Sequence, residues 1–85
     1  MKTHSRVQYT ATIGDRVRTS AQARTIKGWM YQHAMSTAGR ETMFGVDVRN
    51  IHTGASTKVY VRVSVDTPEA ESMATLLNAK EAVGA

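Results

Sequence analysis

Alternating apolar and polar residues along the chain predict three β-strands. The pattern has a period of two and is rich in β-branched and aromatic side chains, which is typical of strands with one buried face. We therefore expect a sheet with one apolar side and one polar side. The strands are residues 5–13, 43–49 and 57–65, and the apolar positions are Val7, Tyr9, Ala11, Ile13, Phe44, Val46, Val48, Val59, Val61, Val63 and Val65.

Apolar residues at helical spacing predict a first helix from about Ser20 to Ser36. Thr19–Gln22 fits a capping box, in which a hydroxyl is followed three residues later by Gln. Gly39 is placed to end the helix. The expected buried face consists of Ala23, Ile26, Trp29, Met30, His33 and Ala34.

A second helix is predicted to start at Asp66, with a proline in its first turn and Glu69 three residues after the cap. The residues beyond about Lys80 are expected to fray. The expected buried face consists of Ala70, Met73, Ala74, Leu76 and Leu77.

The order of elements predicts an α+β fold, a β-α-β-β-α two-layer sandwich with both helices on one face of an antiparallel sheet. The sheet has three strands, or four if residues 16–19 turn back at Gly14-Asp15 and pair with the first strand. The first strand, its helix and the next strand are expected to form a split βαβ unit, with the last strand inserted between the two. This layout resembles the ferredoxin-like architecture without its final strand.

Eighty-five residues without cysteine predict one domain, 1–85, with flexible ends at 1–4 and 82–85. The absence of cysteine excludes disulfides and thiolate zinc sites. We find no apolar stretch typical of a secretory signal or a membrane span, so a cytoplasmic protein with no membrane contact is the expectation.

The net charge of +4 is distributed unevenly along the chain. Residues 1–40 carry seven basic side chains against one acidic side chain, a balance of +6, whereas residues 41–85 carry four against six, a balance of −2. Such polarity favours an anionic partner for the first half, although charge of this size also simply keeps a small domain soluble.

Two surfaces are candidates for such a partner. The polar side of the sheet would carry Arg6, Arg49, Lys58, Tyr60 and Arg62, a set of cations with one aromatic ring of the kind that contacts nucleic acids. The first helix would expose Arg24, Lys27 and Tyr31 on one face, and Arg16 and Arg18 lead into it. Met35 falls on the same polar side and hints at a contact or dimer surface.

Catalytic and metal-binding patterns are missing from the sequence. It contains no phosphate-binding glycine loop, no nucleophile elbow and no His-Glu-x-x-His motif. His33 is expected to lie at the edge of the core, and no His, Asp or Glu spacing around it matches a metal site. We therefore expect no enzyme, no cofactor and no metal.

The sequence thus favours a small binding protein that contacts nucleic acid or a nucleoprotein complex through a basic surface. The alternative is a protein–protein inhibitor or adaptor of phage or mobile-element type, which would block a host nucleic-acid-handling or defence complex as anti-CRISPR proteins do. A homodimer that pairs through a sheet edge is a third interpretation.

Overall fold

The structure, a computed structural model, describes residues 6–38, 41–66 and 68–84. It confirms the α+β class, with two helices covering one face of an antiparallel sheet that has four strands. A π-helical turn, Ala34–Ala38, extends the first helix. The elements are β1 (Val7–Ile13), β2 (Arg16–Ser20), α1 (Ala23–His33), β3 (Glu41–Asn50), β4 (Ser56–Ser64) and α2 (Pro68–Gly84).

The β1–β2 hairpin is the feature that sets the topology. Gly14 has a φ of +68°, and no described residue other than glycine has a positive φ, so Gly14-Asp15 fits a two-residue turn with glycine in first position. Ile13 pairs with Arg16 directly across this turn. The optional fourth strand at residues 16–19 is therefore present and extends to Ser20.

The predicted strand order is wrong. The sheet runs β2-β1-β3-β4, so β4 lies at an edge instead of between two strands, and β1 pairs directly and antiparallel with β3. The reason is that β2 reverses the chain before α1 begins. Strands β2 and β3 are consequently parallel to each other, with β1 between them. The ferredoxin-like layout therefore does not hold.

The core lies between the sheet and the two helices. The alternation predicted for β1 appears as buried Val7, Tyr9, Ala11 and Ile13, and β3 and β4 behave in the same way. Burying one such aliphatic side chain stabilises the fold by roughly 1.5–3 kcal/mol relative to exposure. The strands contribute Phe44, Val46, Val48, Val61 and Val63, and the helices contribute Ala23, Ile26, Met30, Ala34, Leu76 and Ala79.

The predicted capping box of α1 does not form, because β2 continues through Ser20. The helix begins at Ala23 after Gln22, whose side chain makes no capping hydrogen bond. The Ser20 hydroxyl instead accepts a hydrogen bond from the backbone N–H of Gln22 at 3.0 Å. Gly39, the predicted terminator, lies outside the described residues.

The predicted buried face of α2 is partly wrong. Ser72, Leu76 and Ala79 are buried, whereas Ala70, Ala74 and Leu77 are exposed. The helix continues past Lys80 to Gly84, and Val83 packs against the core. The chain ends at residues 1–4 and 85 lie outside the described residues. Val65 follows the end of β4 and is half-buried.

A buried amide holds the turn between β3 and β4. Asn50 is 4 % exposed, and its side-chain oxygen accepts hydrogen bonds from the N–H groups of His52 and Thr53 at 2.8 and 3.0 Å. Gly54 completes the turn with a φ of +83°. The sequence predicted the turn but not the role of Asn50.

Candidate functional site

The ten residues selected from the sequence do not form one surface. Some lie along β2 and the start of α1, some lie on the helix-free face of the sheet, and two are packed between elements. The groups are Arg16, Arg18 and Arg24; Arg49, Lys58, Tyr60 and Arg62; and Lys27 with Tyr31, while Arg6 precedes β1 and is exposed.

Two arginines of strand β2 lie on the side of the sheet that carries the helices. Because paired residues share a face, Arg16 lies on the same side as buried Ile13, and Arg18 on the same side as buried Ala11. They can be charged because β2 is an edge strand. Residues two apart on a strand are separated by about 6.6 Å, so the two guanidinium groups form a short row.

Arg18 packs on the only tryptophan of the chain. Its guanidinium carbon lies 5.1 Å from the centre of the Trp29 ring, within the range of a cation–π interaction. Trp29 was predicted to be a core residue, but it is only half-buried and contacts the core on one side. This contact holds Arg18 in place and presents an aromatic ring beside two cations.

A cleft of about 310 Å³ opens between the β1–β2 turn and the end of α1. Arg16, Arg18 and Trp29 line it, together with Gly14, Asp15, Gln32, His33 and Ser36 among others. His33 stacks edge-on against Phe44 at 6.0 Å, which agrees with its predicted position at the edge of the core. A Cβ atom on Gly14 would lie 3.1 Å from the His33 ring, so glycine lets the turn close over the imidazole.

The electrostatics of this cleft are unbalanced. Among the described residues that line it, Asp15 is the only carboxylate, against two arginines. Within residues 6–38, 41–66 and 68–84, neither Arg16 nor Arg18 forms an ion pair, and neither does Arg24. We call Arg16, Arg18 and Arg24, with Trp29, the arginine edge.

The helix-free face of the sheet carries the predicted residues Arg49, Lys58, Tyr60 and Arg62, but its charge is largely neutralised. Lys58 lies 3.9 Å from Asp47, and Arg62 lies 3.1 Å from Glu41. These two cations and their acids come from the facing strands β3 and β4. Among the described cations of β3 and β4, Arg49 alone lacks such a partner.

Two large apolar side chains stand on this same face. Tyr60 is 66 % exposed and lies opposite Gly45, and its neighbour Met43 is 60 % exposed. They border a groove of about 480 Å³ whose other wall is formed by Ala74 and Thr75 of α2. We call Met43 and Tyr60 the apolar patch.

The predicted basic face of α1 is wrong for two of its three members. Arg24 is exposed, but only 13 % of the Lys27 side chain is exposed, and its amine lies 3.0 Å from a carboxylate oxygen of Glu69. Tyr31 is half-buried against the core. The cause is α2, which packs beside α1 and covers the side from which Lys27 projects. Met35 is exposed, as its position on the polar side predicted.

The described part of the chain was searched for metal-ligand groups and for helices that could span a membrane. It contains no group of three His, Asp or Glu residues arranged to hold a metal ion. Neither of its two helices is long and apolar enough to cross a membrane.

Comparison with known proteins adds nothing to this geometry. No protein-family model matches the chain, and neither a curated protein nor a solved structure is similar to it.

Proposed function

We propose that this chain is a small non-enzymatic protein that binds nucleic acid, alone or in a nucleoprotein complex, through the arginine edge. The observation that carries the proposal is the row of Arg16 and Arg18 on an edge strand, with no ion pair to any described residue and with Trp29 beside them. A phosphate backbone is the partner that such a row fits best, because arginine binds phosphate in a bidentate manner.

The orientation of β2 extends this surface. The strand runs from Arg16 at the turn to Ser20, and Arg24 follows in the first turn of α1. The four residue steps of β2 span about 13 Å, so phosphates along one strand could contact successive arginines. Trp29 and the planar guanidinium groups would then lie near the bases, where stacking does not depend on sequence.

Fluorescence anisotropy with labelled single-stranded and double-stranded oligonucleotides tests the proposal. Three phosphate contacts to a single strand predict a slope of about −2 in a plot of log affinity against log salt concentration. Absence of binding to every oligonucleotide at low salt would exclude nucleic acid as the direct ligand.

The apolar patch supports a second candidate, a protein–protein inhibitor or adaptor of phage or mobile-element type that blocks a host nucleic-acid-handling or defence complex. Exposed Met and Tyr side chains bordered by ion pairs have the composition of the centre of a protein interface. Capture from host lysate with and without nuclease separates the two candidates. A stoichiometric partner that survives nuclease and is lost in Tyr60→Ala would favour the second, and light scattering would identify a second copy of the chain as that partner.

A further inference from the structure

The cleft beside the arginine edge carries charges of both signs that do not neutralise one another. Asp15, Arg16 and Arg18 all line it. Asp15 is exposed and, like the two arginines, forms no ion pair with any described residue. A ligand that is only an anion would satisfy the arginines but would be repelled by the carboxylate. The cleft therefore favours a ligand that carries both a negative group and a hydrogen-bond donor.

The end of the first helix adds to the negative part of the cleft. Gln32 and His33 are the last residues of α1, and Ser36 belongs to the π-helical turn that extends it. The carbonyl groups at the C-terminal end of a helix carry partial negative charge, which disfavours a phosphate and favours a donor. The phosphate of a ligand is therefore expected at the arginines, and its donor at Asp15 and the helix end.

The size and the walls of the cleft suit one flat group. Its volume of about 310 Å³ lies at the lower end of the range of about 300–1,000 Å³ that is typical of small-molecule pockets. The Arg18 guanidinium is held 5.1 Å from the centre of the Trp29 ring, and a planar guanidinium can stack on a further ring. The His33 ring is fixed by its edge-on contact with Phe44 and by the close approach of Gly14.

We propose that the cleft takes one unpaired base of a single strand whose phosphates contact Arg16 and Arg18, and that it prefers a base with an exocyclic amino group. This inference rests on the proposed function and adds which nucleic acid the site selects. The amino group donates to the carboxylate of Asp15, and cytosine, adenine and guanine carry such a group whereas thymine does not. The base has to leave its stack to enter the cleft, which costs less in a single strand than in a duplex.

Anisotropy titrations with oligodeoxycytidine and oligothymidine of equal length, above neutral pH, test the preference. The two strands have the same number of phosphates and bases of similar size, so the electrostatic contribution cancels in the ratio of their affinities. Oligodeoxycytidine should bind about fivefold more tightly, which corresponds to one additional hydrogen bond. Because Trp29 is the only tryptophan of the chain, its fluorescence reports whether a base reaches the cleft, and it should change saturably on binding.

Asp15→Asn tests the role of the carboxylate. The pair Gly-Asn suits the same two-residue turn, so the fold should be kept, and equal free energies of unfolding for the two proteins check this. The neutral amide donates as well as accepts, so the preference for oligodeoxycytidine should fall below about twofold. Glu81→Gln is the matched control, because Glu81 is exposed on α2, lies outside the cleft and forms no ion pair with a described residue. It removes the same charge and should leave the ratio at about fivefold.

Three results would overturn the inference while the proposed function stands. They are equal affinity of the unchanged chain for the two oligonucleotides, a preference that is kept in Asp15→Asn, and binding without a change in Trp29 fluorescence. In each case the chain still binds nucleic acid through its arginines, but without a base in the cleft. Absence of binding to either oligonucleotide at low salt would instead remove the proposed function, and this inference with it.

Discussion

The two ends of the sheet differ in whether their positively charged side chains form ion pairs. On the β3–β4–α2 side, Lys58 and Arg62 have carboxylate partners within 4 Å, and Lys27 of α1 reaches across to α2 for its own. On the β2–α1 side, Arg16, Arg18 and Arg24 have none among the described residues. Ion pairs within the described residues therefore occur on the first side and not at the three arginines, although Arg49 and Lys80 on the first side are unpaired as well.

The two helix starts repeat this difference. The first turn of α2 contains Glu69 and Glu71, which interact favourably with the helix dipole. The first turn of α1 contains Arg24 and no acid, and its cap residue makes no side-chain hydrogen bond. A local rule that is obeyed at one helix and violated at the other is typical of a functional site.

This contrast indicates that the uneven charge along the sequence produces an uneven charge on the surface of the folded chain. The +6 of residues 1–40 includes the three arginines of the arginine edge. Three of the six acids of residues 41–85 form ion pairs, Glu41 and Asp47 within their own half and Glu69 with Lys27, and within the described residues none of the six pairs with the arginine edge. The unbalanced side is therefore the one that we propose binds an external anion.

Removal of matched pairs of charges is the strongest test of the contrast. Arg16→Ala with Arg18→Ala, and Lys58→Ala with Arg62→Ala, each lower the net charge by two. The first double variant should weaken binding to single-stranded nucleic acid by about tenfold or more and reduce the salt slope by about 1.4, because two phosphate contacts are lost. The second should weaken binding by less than about threefold, since its cations already have partners. Anisotropy measures both.

Equal losses in the two double variants would contradict this expectation. They would mean that only net charge matters and that the arginine edge has no special role. Stability should be measured in parallel, because the contact between Arg18 and Trp29 contributes about 0.5–1 kcal/mol.

The strands were predictable because three of them show their burial directly in the sequence. Val46 and Val48, or Val61 and Val63, alternate with polar residues, and the outward positions of Lys58, Tyr60 and Arg62 follow from that alternation alone. This is why the fold class and the polar face of the sheet could be predicted.

Strand β2 was predicted only as an option, because its pattern of burial is inverted. Its charged residues, Arg16 and Arg18, face the side with the helices, and its one large apolar residue, Val17, is 69 % exposed on the other side. The edge position of β2 permits this, and no local pattern in the sequence indicates it. Arg16, Arg18 and Arg24 were therefore predicted as candidate residues, but their position beside Trp29 on an edge strand was not, and the strand order was wrong.

The prediction of which helix residues are exposed was partly wrong because tertiary packing decides it. The neighbouring residues Leu76 and Leu77 are 0 % and 47 % exposed, and their alanine-rich surroundings give no sign of which one is buried. Lys27 has the spacing of an exposed residue but is covered by α2. Such outcomes depend on where a second helix lies, which periodicity within one helix does not contain.

The neutralised side can be tested through stability. The Lys27 side chain is mostly buried, and Glu69 is mostly exposed, with 72 % of its side chain accessible. Glu69→Gln should therefore lower the free energy of unfolding by about 1 kcal/mol, because it leaves Lys27 with no counter-charge. Lys27→Met keeps the packing of the aliphatic stem and should be close to neutral. Urea unfolding of both variants at low and high salt gives the comparison, and a larger loss in Lys27→Met than in Glu69→Gln would contradict it.

The smallest expected effect concerns Tyr9 and appears only at high pH. Burial raises the pKa of the Tyr9 hydroxyl above its ordinary value of 10.0, because the phenolate loses its hydration. Below pH 10 the group is neutral in both the folded and the unfolded chain, so it adds no pH dependence. Above pH 10 the unfolded chain ionises first, and the free energy of unfolding falls.

Tyr9→Phe should remove this part of the decline, so unfolding curves of the two proteins from about pH 8 to pH 11 should differ in slope only above pH 10. Parallel curves over the whole range would contradict this expectation, because they would show that the phenolate of Tyr9 keeps its hydration in the folded state.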